Sequence, residues 1–367
     1  MTSYLKHRPW RLVILLVFFV SGCLHSVPGQ AGYGEKIRVL IMKEVPSLEV
    51  KGTDRGSLVI RSGGSGEARV NGKTRSLPLR LLPDNGHILV NGRPYRGSIE
   101  IASGKQGLLV INELPIEAYL AGIINNEISS KWHEDVIKTQ AVIARTYALF
   151  NRNKRAGSPW HVESSVMGQV YSGAASEDPA AVNAVAATAG EVLMFEDEPA
   201  LTVYHSNAGG MTEASRAVWS RDYPYLMPVE SPFDKGAPRF EWDYTATAAG
   251  LGEALRRSGR SIGDPAALEV LETTPSGRVK TLAVRDSEGR EIRLAGEELR
   301  SVVGYSVIRS AMFYVERGGE MFVFRGKGSG HGVGLSQWGA KGMAENGYSY
   351  RQILLHFYPG TSLTKLW

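Results

Sequence analysis

The sequence predicts an α+β fold: a β-rich N-terminal subdomain followed by a mixed α/β core that is not doubly wound. Three observations carry this. Short apolar runs punctuated by Gly-Gly and Asn-Gly pairs fill residues 36–112. Helical spacing replaces them over 113–155. Strand and helix signals then mix without a βαβ alternation. The 367 residues suffice for one large or two ordinary domains, and 43% apolar with 22% charged residues is a globular composition. The 42 glycines imply many tight turns and close backbone approaches.

The first 22 residues read as a targeting segment. Lys6, His7, Arg8 and Arg11 precede the apolar run Leu12–Val20. That run is far short of the ~20 residues a helix needs to cross a hydrocarbon core. A basic start, a short apolar middle and small residues after it describe a secretory signal. Val20-Ser21-Gly22-Cys23 resembles a bacterial lipobox, in which the Cys becomes the lipidated first residue; an ordinary signal with an incidental Cys is the alternative. Cys23 is the only cysteine, and Leu24, not Asp, follows it, which points to the outer membrane in a cell with two membranes. With Cys23 used, no thiol remains for a disulfide, a nucleophile or a cysteine–zinc site. The formal charge of +5 falls to 39 − 37 = +2 once Lys6, Arg8 and Arg11 are removed. That balance excludes nucleic-acid binding by bulk charge.

Residues 23–35 form a turn-rich tether. In 36–112, the runs at 37–41, 58–60, 87–90 and 108–111 are strands, with hairpin turns at Gly63-Gly64, Asn71-Gly72, Asn85-Gly86 and Asn91-Gly92. A structural or docking sheet is the expectation there. Pro115 suits a first helical turn. Ile116, Leu120, Ile123, Ile124 and Ile128 then make an apolar stripe on one continuous helix. Trp132 and His133 mark a break, and Glu134-Asp135 open a second helix with negative charge at its positive end. Further helices are expected at 180–189 and 248–257, and strands at 200–204, 279–284 and 321–324. Four prolines make 220–247 an irregular surface excursion.

Glu127 lies eleven, seven and four positions after Ile116, Leu120 and Ile123, so its carboxyl projects from the apolar stripe. Apolar surroundings raise a carboxyl pKa and suit a general acid. An ion pair with Lys131 at i+4 on a solvated face is the competing reading, and spacing alone tilts towards it. Lys138 and Arg145 share a helix face, either as a cationic pair for an anionic ligand or as snorkelling edge residues. The glycine-dense stretch 326–334 lacks Walker and dinucleotide-fingerprint spacing. His331 within it is a site residue or a satisfied turn histidine; Ser336, Gln337 and Trp338 follow with hydrogen-bonding groups and a ring suited to stacking on sugars. His205 and Ser206 are neighbours on a strand and face opposite ways, which disfavours a Ser–His pair. His161, Glu163 and His205 show no metal-ligand spacing.

Several separated stretches resemble the SpoIID/LytB family. They are Asn112-Glu113-Leu114-Pro115 through Ile124 with Glu127, Ile137-Lys138-Thr139-Gln140 through Ala148, Gln169-Val170-Tyr171-Ser172-Gly173, Tyr204-His205-Ser206-Asn207-Ala208-Gly209-Gly210 through Glu213, Gly330-His331-Gly332 through Ala340, and His356-Phe357-Tyr358-Pro359-Gly360. The resemblance implies a SpoIID-like catalytic domain over 113–367. It implies a lytic transglycosylase of peptide-stripped peptidoglycan strands with Glu127 as catalytic acid, which reverses the tilt towards an ion pair. Lys138, Arg145, Tyr147, Ser206, His331, Ser336 and Gln337 become expected substrate-binding positions. LytB-type relatives imply the alternative, a non-catalytic glycan-binding enhancer of a cell-wall amidase. The expected partners are therefore glycan strands, an amidase and, through Cys23, a membrane in the cell envelope. Some members bind zinc through a Cys and a His just before the Gln-x-Tyr; Glu163, Met167 and Gly168 stand in that stretch here, so no metal or other cofactor is expected. Ala208 stands where other members often carry Cys.

Overall fold

The computed structural model describes residues 35–64, 66–165, 169–219 and 221–367. The signal segment and Cys23 lie outside the described residues. The fold is α+β, with several separate sheets and helices packed between them.

The N-terminal strands form two sheets. A six-stranded antiparallel sheet contains Ser47–Thr53, Gly56–Ser62 and the hairpin strands around them. A five-stranded sheet runs Val162–Glu163, Lys36–Val45, Leu108–Pro115, Ser98–Ser103, Leu79–Leu81. Alternation directs Leu48 and Val50 inward while Glu49 and Lys51 face water. Asn71-Gly72 and Asn91-Gly92 close two-residue hairpins, with φ of 48° and 82° in one and 48° and 80° in the other, as a type I′ turn requires. Asn85-Gly86 is not a hairpin turn. It lies between Leu79–Leu81 and Ile88–Val90, which belong to different sheets.

The strand beginning at Leu108 continues to Pro115, pairing Lys36 with Pro115 and Ile37 with Leu114. It crosses residue 112, where the sequence put a subdomain boundary. One hydrophobic core runs through both sheets and the helices beyond, from Ile37 to Tyr358. The expected continuous helix is two short ones, Ile116–Ala121 and Ile124–Glu127. The break falls at Gly122, where a Cβ would lie 2.7 Å from the Tyr171 ring and 2.8 Å from the Gly173 carbonyl. The Asn126 amide holds the junction by donating to the Gly122 and Val170 carbonyls at 3.1 and 3.0 Å.

The long helix Glu134–Lys154 begins as expected. His133 Nδ1 accepts from Asp135 N at 3.2 Å, and two acids occupy its first turn. Its small face, Ala141, Ala144 and Ala148, is fully buried. It packs against Pro179–Ala187, the strand Glu191–Phe195 and the C-terminal helices Gln337–Glu345 and Tyr350–Phe357. Of residues 200–204, only Tyr204 enters a ladder; Tyr204–His205 pairs in parallel with Leu335–Ser336.

A second hydrophobic core, centred on Leu251, Leu255, Leu282, Leu299, Phe322 and Phe324, lies wholly between the two halves of that ladder in sequence. It is built from two three-stranded sheets and the helices Ala248–Arg257 and Gly296–Val303. The expected surface excursion at 220–247 is therefore corrected. Glu241–Thr247 is a strand of this core, and Leu226, Ser231 and Asp234 before it are buried. Pro232 opens a short 3-10 turn, Pro232–Gly236, and the irregular stretch keeps exposed residues beside these buried ones.

Candidate functional site

Glu127 ends the short helix Ile124–Glu127 and is half-buried. The Val170 N–H donates to its Oε1 at 2.9 Å. Burial raises its pKa; the Val170 N–H and the adjacent Tyr204 hydroxyl oppose that rise. The Tyr204 hydroxyl lies beside the carboxyl and the Gln169 side chain without meeting full hydrogen-bond geometry with either. Lys131 is exposed and makes no ion pair with Glu127 among the described residues. Glu127 lines a groove of about 470 Å³ whose walls include Lys131, Trp132, Ser206, Gln337 and Trp338. Trp132 and Trp338 meet edge to face with centroids 5.1 Å apart.

Two expected substrate-binding residues reach this groove. Gln337 Nε2 donates to the Glu127 carbonyl at 3.3 Å and to Gln140 Oε1 at 3.4 Å, tying the first residue of its helix to the acid's backbone. Ser206 also lines the groove, and its carbonyl accepts from Trp338 N at 3.0 Å. His205 turns away, with Nδ1 3.1 Å from the Val333 carbonyl. The strand alternation thus separates it from Ser206.

The other expected positions are elsewhere. Arg145 is completely buried. Its guanidinium grips both Glu117 oxygens at 3.0 and 2.7 Å and donates to the Glu191 carbonyl at 3.1 Å. It has no donor left for a ligand, so its expected role as a substrate cation is corrected. Ser336 is likewise fully buried; its hydroxyl donates to Asp234 and caps the helix Gln337–Glu345 by accepting from Gly339 N at 3.1 Å. It is a capping residue and not part of the groove wall. Lys138 pairs with Glu134 at 3.3 Å along its own helix. Tyr147 lines a separate cavity of about 210 Å³ with His161, Glu163 and Gln169. There, His161 Nδ1 accepts from Arg38 N and Glu163 Oε1 from the Trp160 indole, both at 3.2 Å.

His331 stands behind the groove. Its Nδ1 accepts from Val333 N at 3.0 Å, so Nε2 carries the proton and donates to the Tyr204 carbonyl at 3.1 Å. Burial lowers its pKa to about 4. It is a neutral ring that fixes the strand carrying Tyr204.

Sequence reasoning missed Tyr204 as the neighbour of Glu127, Lys131 and Trp132 as groove walls, and Asp234 as an organiser. The buried Asp234 carboxylate accepts from Ala208 N at 2.7 Å and Gly210 N at 3.3 Å and thereby shapes the loop after Ser206. The inserted core supports the same loop. Arg278, almost wholly buried, donates to the Ala208 and Met211 carbonyls at 2.8 and 2.9 Å. Glu213 receives the Ser276 hydroxyl at 2.7 Å. Only Trp132 carried a signal, as the residue marking the helix break.

Fold and site together describe a chain that sets one half-buried glutamate in the lining of an open groove walled by two tryptophans. Residues 104–195 match the SpoIID family, described as stage II sporulation protein, and residues 217–334 match a domain of unknown function, DUF8618, which spans most of the inserted core. The chain is similar to stage II sporulation protein D of Bacillus amyloliquefaciens, 31% identical over 70% of this chain and 76% of that protein. It is also similar to the Bacillus subtilis amidase enhancer, 29% identical over 87% of this chain and 52% of that protein. An uncharacterized protein of Brachyspira hyodysenteriae is 28% identical over 75% of this chain and 73% of its own length. The chain belongs to the stage II sporulation protein D family, and its function is cell-wall related.

Proposed function

We propose that the protein is a peptidoglycan lytic transglycosylase in which Glu127 acts first as acid and then as base. The observation that carries this reading is a half-buried glutamate with a raised pKa in the lining of a groove of about 470 Å³ walled by two tryptophans. Glu127 protonates the oxygen of the β-1,4 bond between N-acetylmuramic acid and N-acetylglucosamine, and the C1–O bond breaks. The substrate's own N-acetyl group stabilises the cation. The Glu127 carboxylate then takes the proton of the muramic 6-hydroxyl as that oxygen bonds to C1. The proton borrowed from Glu127 is thus returned, and a 1,6-anhydro end forms without water. A glycosidase that activates water ordinarily needs a second carboxyl; this sequence of steps needs one.

Full-length protein purified in detergent is expected to release anhydromuramic ends from peptide-free glycan strands, with Glu127→Gln at least a hundredfold slower. Equal product from both proteins, or none from either, overturns the assignment. The amidase enhancer among the relatives favours a second reading, in which the groove binds glycan and the protein stimulates a cell-wall amidase. Stimulation of an amidase equally by wild type and Glu127→Gln, with no anhydro ends, is the result expected of it. The signal segment and Cys23 support placing the protein on a lipid anchor in the cell envelope; metabolic labelling with a fatty acid, lost in Cys23→Ser, tests this.

A further inference from the structure

Arg145 and Lys138 are both engaged within the fold, so the cation that meets the substrate must come from elsewhere. The only charged side chains among the described residues lining the groove are Glu127 and Lys131. Lys131 is exposed on the turn after Glu127, with its backbone N–H held by Ser129 Oγ at 3.2 Å. Next to it stands the Trp132–Trp338 corner, pinned from behind by Lys341, whose ammonium lies 5.9 and 5.2 Å from the two ring centroids and is itself paired to Glu345. Lys341 is thus committed to holding the rings, and Lys131 is not committed to any carboxylate among the described residues. While Glu127 holds its proton, the groove carries a single positive charge.

We infer that Trp132 and Trp338 form a sugar-stacking subsite and that Lys131 reads a free carboxylate on the sugar seated there. This rests on the proposed glycan-cleaving reading and names its specificity device. On a muramic residue without its stem peptide, the lactyl group ends in a carboxylate; with the peptide attached, the same carbon is an amide. An ammonium beside the stacked ring pairs with the first and gains nothing from the second. The pair is partly solvated, so its contribution is about 1 kcal/mol, roughly fivefold in affinity.

The test uses full-length Glu127→Gln protein in detergent, which separates binding from cleavage. Its ligands are fluorescently labelled peptide-free glycan strands and the same strands with lactyl carboxylates converted to methylamides. Anisotropy is expected to show about fivefold tighter binding of the free acid. Adding Lys131→Gln should bring the free acid down to the methylamide level and leave the methylamide unchanged, while Lys131→Arg keeps the difference. Trp338→Leu should weaken both ligands alike. Loss of both ligands with Lys131→Gln, or loss of neither, overturns the carboxylate reading; unchanged binding with Trp338→Leu overturns the stacking subsite. If wild type discriminates the two strands yet makes no anhydro ends, the specificity inference stands and the transglycosylase assignment fails.

Discussion

The pKa of Glu127 is raised because burial penalises its carboxylate more than Val170 and Tyr204 relieve it. If the protein cleaves glycan as proposed, cleavage should persist above the ordinary carboxyl range, near 4.3, and decline as pH rises through the folded pKa. Tyr204→Phe removes one of the two relieving groups, so the alkaline limb of the rate profile should move to higher pH while the fold is kept; an unmoved limb would separate Tyr204 from the acid. The same burial costs stability. The folded state binds the proton more tightly, so stability falls as pH rises from about 4.3 through the folded value. Glu127→Gln should flatten that fall in thermal melts. His331 works in the opposite sense. Its pKa of about 4 lies below the unfolded value near 6.5, so the stability it contributes is complete above 6.5 and is lost as pH falls towards 4. At this scale the sequence was informative where a residue broke a local pattern. Glu127 showed as an acid among isoleucines, whereas Tyr204 and Lys131 gain their meaning only from segments brought together by folding.

The long helix Glu134–Lys154 was legible because small residues at 141, 144 and 148 and acids at its start follow local rules that tertiary context did not oppose. The helix before it was misread as continuous because the apolar period runs unbroken across Gly122, where the close approach of Tyr171 and the Gly173 carbonyl leaves no room for a Cβ. Arg145 was misread for a related reason. Helical spacing gives a face but not what covers it, and Glu117 and the carbonyls of Val185 and Glu191 cover this one. Removing one member of such a buried pair strands the other. Arg145→Gln should cost about 3–5 kcal/mol of stability in chemical denaturation, whereas Lys131→Gln, on the exposed turn, should cost under about 0.5 kcal/mol.

On the scale of the molecule, the inserted core was hidden in the sequence because its strands and helices obey the same patterns as the rest, and only its closure around Phe322 and Phe324 sets it apart. Arg278 is its deepest reach into the site, and its guanidinium holds the Ala208 and Met211 carbonyls. Arg278→Met should leave both cores folded, destabilise the chain by about 3 kcal/mol, and speed amide exchange at Ala208 and Gly210 by at least tenfold. Exchange confined to the inserted core would show that Arg278 does not brace the loop. The acid comes from before this insertion, while Gln337 and Trp338 come from after it. Nearly the whole polypeptide is therefore needed before the groove has its second wall. A chain truncated inside the insertion would keep Glu127 and Lys131 but lack Gln337 and Trp338 beside them, and so would have only part of the groove.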